Sequence, residues 1–215
     1  MKTPTRRTDS EKVQVGAVGD GVKQYYDHNL EHTVVKLMTG DCFVAGDPRY
    51  MLVTILGSCI SVCMRDPVAK VGGMNHILLP GNSSHKDVVK GDPEYCTRFG
   101  AFAMEELING ILKLGGQKDR LETKIFGGGN VIKNSAMIGS KNINFVKEYL
   151  KKEGLVIKSE NVGGTIPRRI HYFPDTGKVM LRSLKRKDDL DIVEQEKKYE
   201  DKIVQKPKAD DVELF

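Results

Sequence analysis

The alternation of apolar and polar positions predicts a chain of short strands interrupted by two amphipathic helices. Runs rich in β-branched and apolar residues predict strands at residues 33–38, 42–45, 51–56, 60–64, 71–79, 121–126, 155–161, 170–173 and 179–184. Apolar residues recur at helical spacing over residues 92–114 and again over 142–153, and glycine follows each segment. Strands mixed with two such helices predict an α/β (α+β) fold, a layered sandwich of mixed β-sheet with two amphipathic helices.

The two ends of the chain lack these patterns. Residues 1–32 are polar and show little periodic apolar spacing, which predicts a flexible N-terminal lead-in. Residues 185–215 are dense in charge and poor in aromatic side chains, so they cannot bury enough apolar area to offset their ordering entropy. We therefore expect one folded domain, residues 33–184, followed by a charged, disordered C-terminal tail.

A predicted hairpin carries the most informative pair of side chains. Cys59 directly precedes its first strand, and His76 follows seventeen positions later in the second. If the turn is centred at residues 67–68, Met64 faces Val71 and Cys59 lies opposite His76. Directly opposed residues on antiparallel strands have Cβ atoms about 4.5–5.5 Å apart, which is within reach of a thiol–imidazole hydrogen bond.

This pair could support nucleophilic catalysis. A nearby histidine can convert a cysteine thiol to the thiolate, which is the reactive form. The turn formed by Gly57 and Ser58 lets the backbone approach a substrate closely and can direct amide N–H groups at an oxyanion. The simpler alternative is that Cys59 is a buried core residue, because cysteine is among the residue types most often buried.

Composition and charge narrow the classes of partner. The hydrophobic fraction is 39%, the charged fraction 29% and the net charge +5, values typical of a globular protein with a mildly basic surface. Basic residues alternate with acidic ones, which favours a solvated surface over a nucleic-acid or membrane-binding stripe. We find no signal-peptide pattern and no run of about 18 apolar residues, so we expect a cytoplasmic protein whose four cysteines are reduced.

Two other constellations compete with this interpretation. Cys59, Cys63 and His76 could bind zinc with His85 or Cys96, but the gap between the first two is not the usual one and no fourth ligand is obvious. Cys63 is more simply explained as a buried strand residue on the same face as Cys59.

A glycine run at residues 127–129 follows a predicted strand and could bind phosphate. It lacks the spacing of the known nucleotide-binding motifs, so a turn lining a cleft or a tight connection fits better. Arg168 and Arg169 are expected at a solvated strand edge.

Several segments together resemble one protein family. They are residues 56–67, 72–80, 99–109, 124–129 and 138–142, with the pairs Gly163-Gly164 and Arg168-Arg169. Across residues 33–184 the chain resembles the CheD family, the chemoreceptor glutamine deamidases of bacterial chemotaxis. The resemblance implies a fold similar to the deamidase domain of cytotoxic necrotizing factor.

The resemblance also implies a mechanism. Cys59 corresponds to the family's nucleophile and His76 to its general base. The family's third residue is a threonine just upstream of the Gly-Ser-Cys turn, and Thr54 is the only threonine there. Its simpler role is that of a β-former in a buried strand. Ser58 and Gly57 would then contribute to the oxyanion and substrate-binding region.

The partners implied are methyl-accepting chemotaxis receptors, as protein substrates, and the CheC phosphatase. No metal or cofactor is implied. The alternative function within the same family is an adaptor that binds receptors and CheC with little catalysis. The intact Cys59–His76 pair favours the enzyme, because docking alone does not require an activated thiol.

Overall fold

The computed structural model describes residues 22–79, 93–131 and 136–184. Residues 1–21 of the predicted lead-in, the predicted tail at 185–215 and the candidate zinc ligand His85 lie outside these ranges. The side chain of Cys96 does as well.

Ten strands, two α-helices and one short 3₁₀ helix make up the described parts of the chain. The strands are β1 (Lys23–Asp27), β2 (His32–Lys36), β3 (Cys42–Ala45), β4 (Tyr50–Leu56), β5 (Ile60–Asp66), β6 (Val71–Asn75), β7 (Glu122–Gly127), β8 (Ile157–Val162), β9 (Arg168–Phe173) and β10 (Lys178–Ser183). The helices are α1 (Pro93–Lys113) and α2 (Ala136–Lys152), and the 3₁₀ helix is Lys118–Arg120.

The strands form two five-stranded mixed sheets. Sheet I has the order β1-β2-β4-β9-β10, and sheet II has the order β3-β6-β5-β7-β8. Within sheet I only β2 and β4 are parallel, and within sheet II only β7 and β8 are. The predicted α+β layered fold is confirmed, with the strands divided between two sheets.

Two apolar cores separate three layers. The core between the sheets contains buried residues of both, including Leu52 of sheet I and Cys63 of sheet II. The second core lies between sheet II and the helices, where Leu107 of α1, Val146 of α2 and Val62 of β5 belong to one buried cluster. Sheet II is therefore covered on both faces, which explains why β5 is buried at six of its seven positions.

The helices follow the predicted apolar periodicity. Met104, Leu107, Ile108 and Ile111 of α1 are buried on one face, as expected for residues three and four positions apart. α2 begins at Ala136, six residues before the start that the apolar pattern predicts. Neither helix of the described chain is long and apolar enough to span a membrane.

The predicted lead-in is wrong in its last part, because β1 lies within it. Lys23–Asp27 pairs with β2 in antiparallel register at the edge of sheet I. Four of its five residues are exposed, Tyr25 and Tyr26 among them. An edge strand with so little burial has no alternating apolar pattern, so the sequence alone did not indicate it.

The predicted register of the β5–β6 hairpin is also wrong, by two residues. Met64 pairs with Gly73 in place of Val71, and Asp66 is the strand residue that pairs with Val71. The Asp66 carboxylate explains why the turn lies one position later than predicted, since its Oδ1 accepts hydrogen bonds from the backbone N–H groups of Val68 (2.8 Å) and Ala69 (3.0 Å).

The two-residue shift leaves the faces of the hairpin unchanged, because side chains alternate with a period of two. Cys59 lies just before β5 and His76 just after β6. Between them, the backbones of Ile60 and Ile77 exchange hydrogen bonds of 2.9 and 2.8 Å. Cys59 is therefore not directly opposite His76, but both side chains remain on the face of sheet II that meets sheet I.

Candidate active site

The loop between β2 and β3 fixes the backbone of His76. The His76 N–H donates to the carbonyl of Asp41 at 2.9 Å, and the His76 carbonyl accepts from the N–H of Gly40 at 2.8 Å. The Asp41 carboxylate in turn accepts from the N–H of Met38 at 2.7 Å, which closes this loop on itself. His76 thus continues the pairing of β6 with the β3 side of sheet II.

Thr54, on β4 of sheet I, reaches across the core to the His76 ring. Its Oγ1 lies 2.7 Å from Nδ1 of His76 and 2.9 Å from the carbonyl oxygen of Leu37. A carbonyl oxygen can only accept, so the Thr54 hydroxyl donates to Leu37 and accepts from Nδ1–H of the ring. In the neutral imidazole, Nε2 then carries the lone pair and can act as a base.

A second threonine, Thr39, lies next to Nε2 of His76, and the sequence did not indicate it. Oγ1 of Thr39 is 3.3 Å from Nε2 of His76 and 3.9 Å from Sγ of Cys59. Thr39 belongs to the β2–β3 loop and is half-buried. It precedes Cys59 by twenty residues, and no motif in the sequence points to it.

Burial sets the protonation state of His76. The side chain is 5% exposed, and its desolvation lowers the pKa of His76 to about 4, despite a hydrogen bond to the backbone at Leu37 that acts in the opposite direction. The ring is therefore neutral at pH 7. A neutral ring with a free Nε2 can accept a proton, which is what a general base must do.

The glycine run 127–129 supports the turn that presents Cys59. The N–H of Gly128 donates to the Cys59 carbonyl at 2.6 Å, and the N–H of Gly129 donates to the Gly57 carbonyl at 2.7 Å. Gly127 has a φ of +109°, and a Cβ at this position would collide with the Cys59 carbonyl oxygen. The run is thus a close backbone contact behind the site, which agrees with the tight connection expected from the sequence.

Asn142 of α2 links the two segments that carry Cys59 and His76. Its Nδ2 donates to the Ser58 carbonyl at 2.9 Å, and its Oδ1 accepts from the N–H of Leu79 at 3.0 Å. Its side chain is completely buried. No sequence pattern indicated this role, although Asn142 lies within one of the segments that resemble the family.

These contacts orient the amides on either side of Ser58. Each peptide unit is planar and trans, so fixing the Gly57 carbonyl also orients the N–H of Ser58. Fixing the Ser58 carbonyl likewise orients the N–H of Cys59. The structure thus holds in place the N–H groups of Ser58 and Cys59, next to the Gly57-Ser58 turn that the sequence suggested for an oxyanion.

The expectation that Arg168 lies at a solvated strand edge is wrong. Arg168 is 5% exposed, and its guanidinium donates to carbonyl oxygens of Asn161 (2.7 Å), Gly163 and Ile166 (3.4 Å). Desolvation lowers its pKa. Arg168 therefore organises the loop between β8 and β9, whose Gly164 carbonyl accepts from the N–H of Asn130 at 2.7 Å.

Cys63 occupies the position expected of a core residue. It is 1% exposed in the core between the sheets, and burial raises the pKa of its thiol well above the ordinary range. Within residues 22–79, 93–131 and 136–184, no group of three histidine, cysteine or acidic side chains is arranged to hold a metal ion.

The fold and the site together define an α+β protein in which a buried cysteine and a neutral histidine both contact Thr39, and a cysteine near a histidine is typical of cysteine-dependent hydrolases. Residues 78–183 match the family model for CheD, described as chemotactic sensory transduction. A Rhodopseudomonas palustris protein named "Probable chemoreceptor glutamine deamidase CheD" is 48% identical over 197 residues, 91% of each chain. A Saccharophagus degradans protein of the same name is 44% identical over 199 residues, 90% of each chain. This chain belongs to the CheD family, as its sequence motifs suggested.

Among solved structures, the hypothetical protein YfiH of Bacillus licheniformis is 14% identical. The match covers 55% of this chain and 49% of that one, with a TM-score of 0.35, which is too low to bear on fold or function.

Proposed function

We propose that this protein is a cytoplasmic glutamine deamidase of chemotaxis receptors. It hydrolyses the side-chain carboxamide of receptor glutamines to the glutamates used in adaptation, with Cys59 as the nucleophile. The observation that carries the proposal is the convergence of Cys59, His76 and Thr54 from separate segments in a chain of the CheD family.

The first half of the reaction forms an acyl-enzyme. Cys59 gives its proton to Nε2 of His76, and the thiolate attacks the carboxamide carbon of the glutamine. The N–H groups of Ser58 and Cys59 stabilise the oxyanion that develops. The His76 imidazolium then donates its proton to the departing nitrogen, and ammonia leaves with the receptor side chain held as a thioester.

The second half restores the free enzyme. Neutral His76 removes a proton from a water molecule, which attacks the thioester carbon. The tetrahedral intermediate collapses, the Cys59 thiolate leaves, and it recovers the proton from the imidazolium. The receptor side chain is released as glutamate. Thr54 keeps Nδ1 protonated throughout, so that Nε2 is the nitrogen that exchanges protons.

Chemotaxis receptors are the protein substrates in this proposal, and the CheC phosphatase is a second partner. Membership of the CheD family supports the first, since its relatives are named chemoreceptor glutamine deamidases. The second rests on the family resemblance, and co-elution of the two purified proteins on gel filtration tests it. Separate elution at micromolar concentrations would argue against CheC as a partner.

The reaction can be tested with a cytoplasmic receptor fragment in water enriched in heavy oxygen. We expect peptide mass spectrometry to show glutamine converted to glutamate, with one heavy oxygen in each new carboxylate, and an equal release of ammonia. A receptor fragment that keeps all its glutamines after incubation would contradict the proposed function.

A further inference from the structure

We propose that Thr39 is a further catalytic residue, whose hydroxyl relays the Cys59 thiol proton to Nε2 of His76. This inference rests on the proposed function, in which these two atoms must exchange that proton. It goes beyond the Cys–His–Thr site, because Thr54 contacts the opposite nitrogen of the ring.

The position of Thr39 carries the proposal. Its Oγ1 contacts both reacting atoms, at 3.3 Å from Nε2 of His76 and 3.9 Å from Sγ of Cys59. The longer distance suits a thiol, which is a weak donor with a large sulfur atom.

The directions of the hydrogen bonds are determined by Thr54. Because the Thr54 hydroxyl donates to the Leu37 carbonyl, it accepts the proton on Nδ1 and leaves Nε2 without one. An unprotonated Nε2 can only accept, so the hydroxyl proton of Thr39 points towards it. The remaining lone pairs of Oγ1 are then available to the Cys59 thiol proton.

The loop that carries Thr39 is anchored to the same histidine. Gly40 and Asp41, the next two residues, make both backbone hydrogen bonds to His76. These two bonds hold the backbone next to Thr39 against the backbone of His76. Such a fixed position is what a relay requires, because proton transfer is efficient only over short and constant distances.

The relay balances as one concerted step. The S–H bond of Cys59 breaks as its proton binds Oγ1 of Thr39, while the original hydroxyl proton of Thr39 moves to Nε2 of His76. The products are a thiolate, an intact threonine hydroxyl and an imidazolium. No oxidant or cofactor takes part, and reversal of the step returns the proton when the thiolate leaves.

Three variants distinguish the effect of the Thr39 hydroxyl group from the effect of the side-chain volume. Thr39→Val keeps the volume and removes the hydroxyl, Thr39→Ser keeps the hydroxyl, and Thr33→Val makes the same change at a half-buried threonine of β2. The substrate-independent readout is the rate at which iodoacetamide labels Cys59, measured by peptide mass spectrometry as a function of pH. The second readout is kcat for glutamine conversion in the receptor fragment.

We expect Thr39→Val to lower both rates at pH 7 by about 100-fold, the lower end of the range for a group that transfers a proton. Its labelling rate should depend more steeply on pH than the wild-type rate, because the thiol then lacks the hydroxyl that passes its proton to His76. Thr39→Ser should stay within about threefold of wild type, and Thr33→Val should match wild type. All four proteins should have similar melting temperatures.

Two results would overturn the relay. One is that Thr39→Val is labelled and converts glutamine at the wild-type rates. The other is that Thr39→Ser loses as much of both rates as Thr39→Val, which would indicate that packing matters and not the hydroxyl. The proposed function fails separately, if the wild type converts no glutamine while its labelling still depends on the Thr39 hydroxyl.

Discussion

The hydroxyl of Thr54 lies 2.7 Å from Nδ1 of His76 and thereby determines which ring nitrogen is available as a base. The two residues belong to different sheets, so the contact also joins the two halves of the sandwich at the site. The tautomer follows from the carbonyl of Leu37, which leaves the Thr54 hydroxyl only its lone pairs for the histidine.

Replacing Thr54 with valine should therefore impair catalysis. The variant removes the oxygen that lies 2.7 Å from Nδ1 and leaves the Leu37 carbonyl as the acceptor, so the ring is held less firmly in the tautomer with Nε2 unprotonated. We expect kcat for receptor deamidation to fall by about 100-fold, within the range known for loss of proton-transfer groups. Thr54→Ser, which keeps the hydroxyl, should retain most of the activity. Equal activity in Thr54→Val and wild type would show that the contact does not orient the base.

The buried His76 should make the protein less stable in mild acid. Its pKa is about 4 in the folded state and about 6.5 in an unfolded chain, so only the unfolded state binds the proton between these values. The contribution of His76 to stability is complete above pH 6.5, is lost progressively down to pH 4 and changes no further below it. The total loss is roughly 3 kcal/mol.

Urea unfolding at half-unit intervals from pH 4 to 8 measures this effect. The free energy of unfolding of His76→Asn should vary less over the window than that of wild type. His28→Gln, at an exposed histidine, should follow the wild-type curve. Parallel curves for wild type and His76→Asn would contradict the lowered pKa of His76.

Asn142 should contribute to both stability and catalysis. Its removal in Asn142→Ala leaves the Ser58 carbonyl and the Leu79 N–H buried without partners, at a cost of about 1–3 kcal/mol each. We expect the free energy of unfolding to fall by about 2–4 kcal/mol and kcat to fall with it, because the Cys59 N–H loses its fixed orientation. Asn144→Ala, at an exposed position of the same helix, serves as the control and should leave both unchanged. A change below about 0.5 kcal/mol in Asn142→Ala would show that the link is dispensable.

Asp66 should contribute to stability alone. Burial by itself would raise its pKa, but hydrogen bonds from Arg120 and from the backbone of Ala69, Gln117 and Val68 lower the pKa of Asp66 to about 2. The side chain is fully buried, and its Oδ2 lies 2.6 Å from the Arg120 guanidinium.

Asp66→Asn leaves Arg120 without its buried counter-charge, so we expect the free energy of unfolding at pH 7 to fall by about 3 kcal/mol. Asp119→Asn, at the exposed neighbour of Arg120, should have no effect. Activity per folded molecule should stay at the wild-type level, because Asp66 lies at the far end of β5 from Cys59. If Asp66→Asn is as stable as wild type, the turn does not depend on the negative charge of Asp66.

Much of the fold could be predicted because burial leaves a pattern in the sequence. Strands β3 to β7 lie in apolar runs, and α1 shows a clear helical repeat, so these elements agree with the sequence to within a few residues. Strand β1 could not be predicted, because an exposed edge strand needs no apolar face. The hairpin register depended on one carboxylate, Asp66, whose hydrogen bonds centre the turn one position later than the sequence predicts.

The residues of the candidate site likewise include some that the sequence indicates and others that only the packed structure reveals. Cys59, His76 and Thr54 could be identified because they fall in a recognisable family motif, and the structure places Thr54 on the ring of His76. Thr39 and Asn142 could not be assigned, since their contacts arise only when the β2–β3 loop and α2 pack against the hairpin. The burial of Arg168 could not be predicted, because its hydrogen-bond acceptors are backbone carbonyls, which no sequence pattern reveals.

The central claim is that the Cys59 thiol attacks receptor glutamines. The most direct measurement compares the initial rate of glutamine-to-glutamate conversion in one receptor fragment by wild type, Cys59→Ala and Cys63→Ala. Cys63 is the matched control, a second buried cysteine in the same core. We predict conversion by wild type and Cys63→Ala at similar rates and none above background by Cys59→Ala. Conversion by Cys59→Ala at the wild-type rate would contradict the account.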